Sequence, residues 1–518
     1  MKPARDKVSF KIRWAAFQAS SGTDTETNRL SCIYQKGNPM VPEDEITFRP
    51  NLSFLAQEDK DKIHRAVLKI LSEIGMKVYH DEALALLKDA GCIVAADGMV
   101  KIAEELVLKS IDSAPDNITI YDREANPVMD LGGHRSYYGT GSDLIYALES
   151  ETMQRHPCVL EDVVQAARVA DAMPNLDFIM SFAHPSDIPA HQAYLNSFQA
   201  MASNSVKPIV CTAVDRRDLS QIWEIARILR DGEDELQAKP YAIYYGEPVS
   251  PLQHALESVD KLLFCAEKSM PVIYSPAPIA GSTAPMTIAG HVAQGLAECF
   301  CGLVIHQLKT KGAPFIMGTG PAVLDMATAQ CSYNAPEYLL SYIALVEMSH
   351  FYNLPNWGYA GTTDSQIPDE QAALEAGLET FIAEMAGSNL NHDVGYLDFG
   401  RTGSLDMIVI LNEVIDQVRR LYRGIAVNDS TLALDVIREV GADGNFLVHR
   451  HTLENLQSTQ WRPELINRQG FDKWQAAGST GLLERARNKL QLVLQAHQPI
   501  PIPTDKARLI QKCVDQFQ

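Results

Sequence analysis

Apolar residues recur at helical spacing in residues 56–80, where Ile63, Val67, Ile70 and Ile74 precede a glycine, Gly75, that can end a helix. Two similar patterns follow, DEALALLKDAG and VKIAEELVLKSIDSAP. All three helical patterns precede the first strand-like run, which begins at residue 136. The pattern therefore predicts an N-terminal helical layer over residues 46–135.

From residue 136 onward, short apolar and β-branched or aromatic runs alternate with loops and long helical patterns. Strands that alternate with helices are parallel, because a parallel connection needs a crossover. Eight such units indicate an α/β fold of the (β/α)8 TIM-barrel type over residues 136–402. The runs are SYYGTG (136–141), DFIMSF (177–182), KPIVCTA (207–213), YAIYYG (241–246), PVIYSPA (271–277), PFIMGTG (314–320), NWGYAG (356–361) and HDVGYLDFG (392–400).

A doubly wound open sheet is the alternative architecture. No GxGxxG or GxxxxGK[ST] motif follows any of the runs, and this disfavours the alternative. After residue 403 the pattern is helical again, with Ser404 as an N-cap and Gly424 as a stop. We predict a C-terminal helical extension, 403–518, packed on the barrel, and a disordered tail over the polar, aperiodic residues 1–45.

Charge and cysteine usage narrow the function class. The net charge is −20, from 45 Lys plus Arg against 65 Asp plus Glu, which disfavours binding to nucleic acid or to anionic membranes. Nine dispersed cysteines without a CxxC pair indicate a reduced, cytoplasmic protein with neither disulfide nor metal site. No apolar stretch approaches the ~20 residues of a membrane span, and we expect the chain to form a homo-oligomer.

The carboxyl ends of the eight predicted strands should converge on one site. They are rich in aromatic residues and carry no Ser/His/Asp arrangement for acyl transfer. Rings with few charges suit a quaternary ammonium ion, which donates no hydrogen bond and is held by dispersion and cation–π attraction. Tyrosines that simply cover the barrel mouth are an equally good interpretation. The residues are Tyr138, Asp143, His184, Thr212, Tyr245, Glu247, Tyr274, Thr319, Tyr359, Thr362, Thr363, Asp364, His392, Tyr396, Phe399 and Arg401.

Several longer sequence words resemble those of the trimethylamine methyltransferase family, the corrinoid-dependent barrel enzymes. They are HRAVLKILSEIGMKV, YYGTGSD, DVVQAARVADAMPNLDF, EPVSPL, APIAGSTAPMTIAGHVAQGLAE, AGTTDSQIPDEQAALE and RPELINRQGFDKWQAAGS. The resemblance implies methyl transfer to cobalt(I) of a separate corrinoid protein. This chain lacks the DxHxxG word of a cobalamin carrier, so the resemblance implies that the cofactor arrives on the partner.

Family members that act on trimethylamine carry pyrrolysine in the loop that here reads AGTTDSQIPDEQ. Counted back from PDEQ, that position falls at Thr362, within the polar group Thr362, Thr363 and Asp364. A quaternary amine needs no activating imine, because its leaving group is already a neutral amine. The resemblance therefore implies a quaternary amine substrate that becomes a dimethylamino product.

Glycine betaine is the first choice because it is the smallest candidate; proline betaine, carnitine and γ-butyrobetaine are alternatives. We expect Phe399, with Tyr138, Tyr245 or Tyr359, to face the trimethylammonium group, and His392 or Arg401 to bind the carboxylate. Strand alternation would place His392 and Tyr396 on one face. A quaternary-amine sensor without turnover, or a decarboxylase or lyase on the same barrel, are the competing functions.

Overall fold

The computed structural model describes residues 48–318 and 320–516. The predicted tail, 1–45, and the strand-end residue Thr319 lie outside the described residues. By its internal contacts the described chain divides into a large unit, which runs to Ile425 and resumes at Arg462, and a small unit, Ala426–Trp461.

Eight parallel segments form the centre of the large unit, as predicted, and seven of them are strands. Parallel pairing joins the third to sixth strands in order, the seventh to the eighth, and the eighth back to the first. Single parallel bridges complete the ring at Gly139–Phe178, Ile179–Ile209 and Met317–Asn356. The second segment of the barrel is joined to its neighbours by these bridges alone. The other seven strands are Tyr137–Tyr138, Ile209–Cys211, Ala242–Gly246, Val272–Tyr274, Phe315–Met317, Trp357–Tyr359 and Leu390–His392.

Alternate residues of these strands point into the barrel and form a dry interior. An antiparallel hairpin, Ile118–Tyr121 with Pro127–Leu131, packs against the same interior and closes its lower end. The interior cluster comprises Ile118, Ile120, Met129, Leu131, Phe178, Met180, Val210, Ile243, Ile273, Ile316, Trp357 and Leu390. Substrate access is therefore confined to the opposite end, where the strands finish.

The N-terminal layer contains the predicted helices but also strands that periodicity did not reveal. Its helices are Gln57–Lys69, Asp81–Asp89 and Glu104–Ser113, and the first ends in a π-turn before Gly75, whose φ is +92°. In addition to the hairpin, three short strands pair with one another and with a later two-residue strand. These are Met76–Val78, Ile93–Val94, Met99–Lys101 and Gln253–His254.

Helices follow the barrel strands, and additional short strands decorate the loops. The helices are Leu160–Ala172, Ala193–Asn204, Arg216–Leu229, Glu233–Ala238, Leu256–Lys268, Ile288–Lys309, Pro336–Phe351 and Glu370–Ala386. The short strands are Tyr146–Leu148, Arg155–Pro157, Ile279–Ala280, Ala322–Leu324, Cys331–Ser332, Tyr396–Leu397 and Thr402–Gly403.

One of these helices corrects a sequence prediction. Ile288–Lys309 is 22 residues long and has a mean hydropathy of 1.5 over its most apolar stretch, so by length and composition it matches a membrane span. However, 78% of that stretch is buried inside the fold, and the helix packs against other helices. Its apolar character is that of a core helix.

The C-terminal helices divide between the two units. Leu405–Tyr422 begins at Ser404, whose side chain caps the helix as predicted, and packs on the barrel helices together with Leu482–Ala496. Phe471–Ala476 and Thr504–Gln516 complete the large unit. The small unit, Ala426–Trp461, contains the helices Asp429–Leu432, Leu434–Val440 and Arg450–Thr459.

Candidate active site

Four aromatic rings stand together inside the barrel, on the fourth, seventh and eighth strands. The His392 ring lies 4.1 Å from the Trp357 ring and 4.5 Å from the Tyr359 ring, centroid to centroid. Tyr245 completes the group at 5.5 Å from Trp357 and 6.2 Å from His392. The rings form a continuous aromatic wall at the barrel mouth.

Strand register explains why these residues meet. Tyr359 is paired with His392, and Trp357 with Leu390, so residues two apart on each strand share the inward face. Asp393 and Tyr396 approach the backbone of Gly141 closely. A Cβ atom at this position would overlap Asp393 Oδ1 and Tyr396 Oη, so this contact needs glycine.

His392 is neutral and fully engaged within the protein. Burial lowers the pKa of His392 to about 3. Its Nδ1 lies 2.7 Å from the Gly358 carbonyl oxygen, which can only accept, so we place the ring proton on Nδ1. Nε2 lies 3.2 Å from Asp393 Oδ1. Burial, followed by repulsion from Glu379, raises the pKa of Asp393 well above its usual range. In its protonated form this carboxyl can donate to Nε2.

Glu247 directly follows the fourth strand and lies beside Tyr245. Its side chain is exposed to solvent, yet desolvation raises the pKa of its carboxyl, with repulsion from Asp143 as a further cause. The Tyr245 hydroxyl donates to Glu247 Oε1 and acts against the raised pKa.

Further polar groups stand around the same opening. Asp143 accepts from the Ser142 hydroxyl at 2.7 Å and lies 3.7 Å from His184 Nδ1, and this contact raises the pKa of His184. The Tyr396 hydroxyl donates to the Ser142 carbonyl oxygen. Tyr333 is close enough to Asp393 and Glu247 that both carboxyls, after burial, raise the pKa of its phenol.

The threonine loop faces the helix behind it. Thr362 donates from its backbone N–H and its hydroxyl to Glu379 Oε2, at 2.8 and 2.7 Å, and the Thr363 hydroxyl donates to Glu375 Oε2 at 2.6 Å. Asp364 accepts from the Tyr333 backbone at 3.0 Å. The loop is thus held in place by buried hydrogen bonds, and Thr362 and Thr363 present no hydroxyl proton to the cavity.

Two predicted strand-end tyrosines are not at the mouth. Tyr138 points outward to the helix layer, where its hydroxyl donates to Glu384 at 2.6 Å and the Arg419 guanidinium lies 5.2 Å from its ring. Tyr274 also points outward and bonds with His254 at 2.8 Å. Alternation along a strand shows which residues share a face, but it does not show which face points into the barrel. Here both tyrosines are on the outward face.

The eighth strand ends earlier than predicted. It stops at His392, and Asp393 adopts a positive φ of 79°, so strand alternation does not relate His392 to Tyr396. Phe399 lies in a turn with φ of 56°, and the Arg401 guanidinium stands 5.6 Å from its ring. Arg401 also pairs with Asp398 at 2.9 Å. Phe399 is half-buried and Arg401 is exposed, so both are nearer the surface than the four rings.

Three residues of the site escaped sequence reasoning. Trp357 is two positions before Tyr359, so period-two alternation from that tyrosine would have found it. Asp393 is adjacent to a predicted site residue, but its inward direction follows from its positive φ. Tyr333 lies on a loop after the sixth strand, where no sequence pattern marks it.

The described cysteines do not contribute to the site. Eight of them are free, and burial raises the pKa of those at positions 92, 158 and 211, among others. Within residues 48–318 and 320–516, no group of three or more His, Cys, Asp or Glu side chains is arranged to hold a metal ion.

The sequence profile of the family described as trimethylamine methyltransferase (MTTB) matches residues 27–517. This chain belongs to that family. Trimethylamine methyltransferase MttB of Desulfitobacterium hafniense (strain DSM 10664 / DCB-2) is 28% identical over 468 residues, covering 90% of this chain and 94% of its own. Glycine betaine methyltransferase of Desulfitobacterium hafniense (strain Y51) is also 28% identical, over 454 residues, with 87% and 94% covered.

A solved structure of the Methanosarcina barkeri monomethylamine methyltransferase MtmB is also similar, with a TM-score of 0.47 and 12% identity over 95% of this chain and 97% of that one. As an MTTB-family member, this protein is a methyltransferase. The relatives named for trimethylamine and for glycine betaine both share 28% sequence identity with it. The choice of methyl donor therefore depends on the site.

Proposed function

We propose that this MTTB-family enzyme transfers a methyl group from a quaternary amine to the cobalt(I) of a corrinoid carried by a separate protein. The corrinoid supplies the electron pair of the new bond to the methyl carbon, and the C–N pair leaves with the amine. The product is a neutral dimethylamino compound. No proton moves in this step.

The wall of Tyr245, Trp357, Tyr359 and His392 is the observation that carries this proposal. Its faces attract a permanent cation that cannot form hydrogen bonds. The threonine loop supports the same assignment, since Thr362 stands at the position that the resemblance assigns to pyrrolysine and bonds to Glu379 instead. A quaternary amine brings its own leaving group, and the enzyme is left to position it and exclude water.

Glycine betaine is the donor that the sequence favours, and proline betaine, carnitine and γ-butyrobetaine are the alternatives. Each carries a carboxylate that His392 or Arg401 was expected to bind. Both ring nitrogens of His392 already have partners within the protein. Of the two residues, Arg401 is therefore the one left to bind the carboxylate. Phe399, Tyr396 and Tyr245 stay proposed contacts of the trimethylammonium group.

Decay of the cobalt(I) absorbance tests the function. The purified protein is incubated with reduced corrinoid and each quaternary amine, and dimethylamino product is measured by mass spectrometry. Turnover is expected with at least one quaternary amine and not with trimethylamine. Tight binding by calorimetry without loss of cobalt(I) would instead favour a quaternary-amine sensor.

We propose that the protein works in the cytoplasm, as a homo-oligomer, without nucleic acid or membrane. Its net charge of −20 and its free cysteines support this environment. The corrinoid partner must approach the rim, because the hairpin closes the other end of the barrel. Light scattering measures the oligomer, and co-purification with a corrinoid protein tests the partner.

A further inference from the structure

The charge inside the mouth cavity is acidic and lacks a basic partner. In the described part of the chain, neither Glu247 nor Asp393 forms an ion pair with a lysine or arginine. Asp143 has His184 at 3.7 Å, and the Asp393 carboxyl bonds with His392. Glu247 is left with a single phenol, that of Tyr245, in contact with its carboxylate.

Basic side chains near the mouth are occupied at the rim. Arg155 and Arg401 both bond to Asp398, at 3.0 and 2.9 Å. Asp398 itself is buried, and the two guanidinium groups are about half exposed, at 48% and 47%. Both guanidinium groups already have Asp398 as their carboxylate partner, so a substrate carboxylate would have to compete with Asp398 for Arg401.

We propose that Glu247 is the counterion of the substrate's ammonium group, and that the cavity takes a quaternary ammonium ion whose fourth substituent is uncharged. This inference rests on the proposed function and narrows its substrate. A bound cation neutralises Glu247, whereas a betaine adds a second carboxylate to the same enclosure. Two carboxylates this close repel each other, and the repulsion is strongest at low salt.

Neutral polar atoms suited to an uncharged substituent are available inside the barrel. The Ser275 hydroxyl is fully buried and has no hydrogen-bond partner. It follows Tyr274, which pairs with Gly246, so its register level is that of Glu247. Trp357 Nε1 is likewise buried without a partner. A hydroxyl group on the substrate can bond to either without bringing charge.

Calorimetry with three probes tests the inference, since tetramethylammonium, choline and glycine betaine differ in charge at the fourth substituent. We expect the wild-type protein to bind choline and tetramethylammonium at least tenfold more tightly than glycine betaine. Glu247→Gln keeps the shape and removes the charge, so affinity for tetramethylammonium should fall at least tenfold and the preference over glycine betaine should shrink. Cobalt(I) decay should rank the three donors in the same order.

Glu257→Gln is the matched control, because Glu257 is an exposed acid on the helix that follows the same strand. It should leave the ranking unchanged. A wild-type preference for glycine betaine, or a folded Glu247→Gln protein with an unaltered ranking, overturns the inference and leaves the methyltransferase standing. Failure of all quaternary amines to react would overturn the proposed function. If Glu247→Gln does not fold, the wild-type ranking alone decides.

Discussion

The Thr362 hydroxyl lies 2.7 Å from Glu379 Oε2, deep between the loop and the helix Glu370–Ala386. The other carboxylate oxygen of Glu379 accepts from Tyr338 at 3.0 Å. A loop that the sequence marks as the reactive part of related enzymes is therefore a structural support here. Its buried carboxyl gives the first prediction.

Glu379→Gln should reduce the pH dependence of stability. Burial raises the pKa of Glu379 to about 7 from an ordinary 4.5. Because the folded protein then holds the proton more tightly than the unfolded chain, this contribution is fully present below pH 4.5 and is lost as pH rises through 7. The shift corresponds to at most about 3 kcal/mol of folding free energy. The stability of the variant relative to wild type should therefore increase at high pH.

Urea unfolding on both sides of that window measures the effect. Glu370→Gln, at an exposed acid of the same helix, is the control and should follow wild type. Equal pH slopes for Glu379→Gln and wild type would show that Glu379 is ionised throughout.

Tyr359→Leu should weaken quaternary ammonium binding by about thirtyfold, since a desolvated cation–π contact contributes about 2 kcal/mol. Tyr359→Phe keeps the ring and should bind like wild type. Phe399→Ala is expected to have the smaller effect, because Arg401 already stands over its ring. Calorimetry on variants with unchanged melting temperatures shows whether the ammonium group binds at the aromatic wall or near Phe399. A larger loss in Phe399→Ala would move the ammonium site outward.

Asp393→Asn should retain activity within about threefold, because the amide can replace the protonated carboxyl as donor to His392 Nε2. Asp393→Leu removes the donor and leaves that nitrogen buried and unpaired, which typically costs ~1–3 kcal/mol. We expect its activity to fall at least tenfold. Steady-state rates with the best donor provide the comparison, and similar losses in both variants would indicate that Asp393 acts as an ionised group.

Gly141→Ala should abolish most activity without unfolding the protein, because the new methyl group displaces Asp393 and Tyr396. Gly377→Ala is the contrasting variant. Nothing lies within 4 Å of a Cβ there, and alanine in a helix interior is favoured over glycine by about 1 kcal/mol. Melting temperature and rate should therefore separate, with Gly377→Ala more stable and equally active. A fully active Gly141→Ala protein would argue against the placement of Asp393.

Sequence alone determined the eightfold strand–helix order, the helix cap at Ser404 and the stop at Gly75. These depend on hydrophobic period and on the conformational preferences of single residues, and both are written locally. It also predicted that Tyr245, Glu247, Tyr359 and His392 would lie near one another, because parallel strands finish together.

Only the tertiary structure decided which of these side chains face the cavity. Period-two alternation leaves the inward set undefined until neighbouring strands fix the register, so Tyr138 and Tyr274 were placed on the wrong face while Trp357 was missed. The positive φ of Asp393 ends the eighth strand, and the carboxylate of Glu379 turns Thr362 away from the mouth. Both effects arise from contacts between residues distant along the chain or from a backbone turn, which hydrophobic periodicity does not encode.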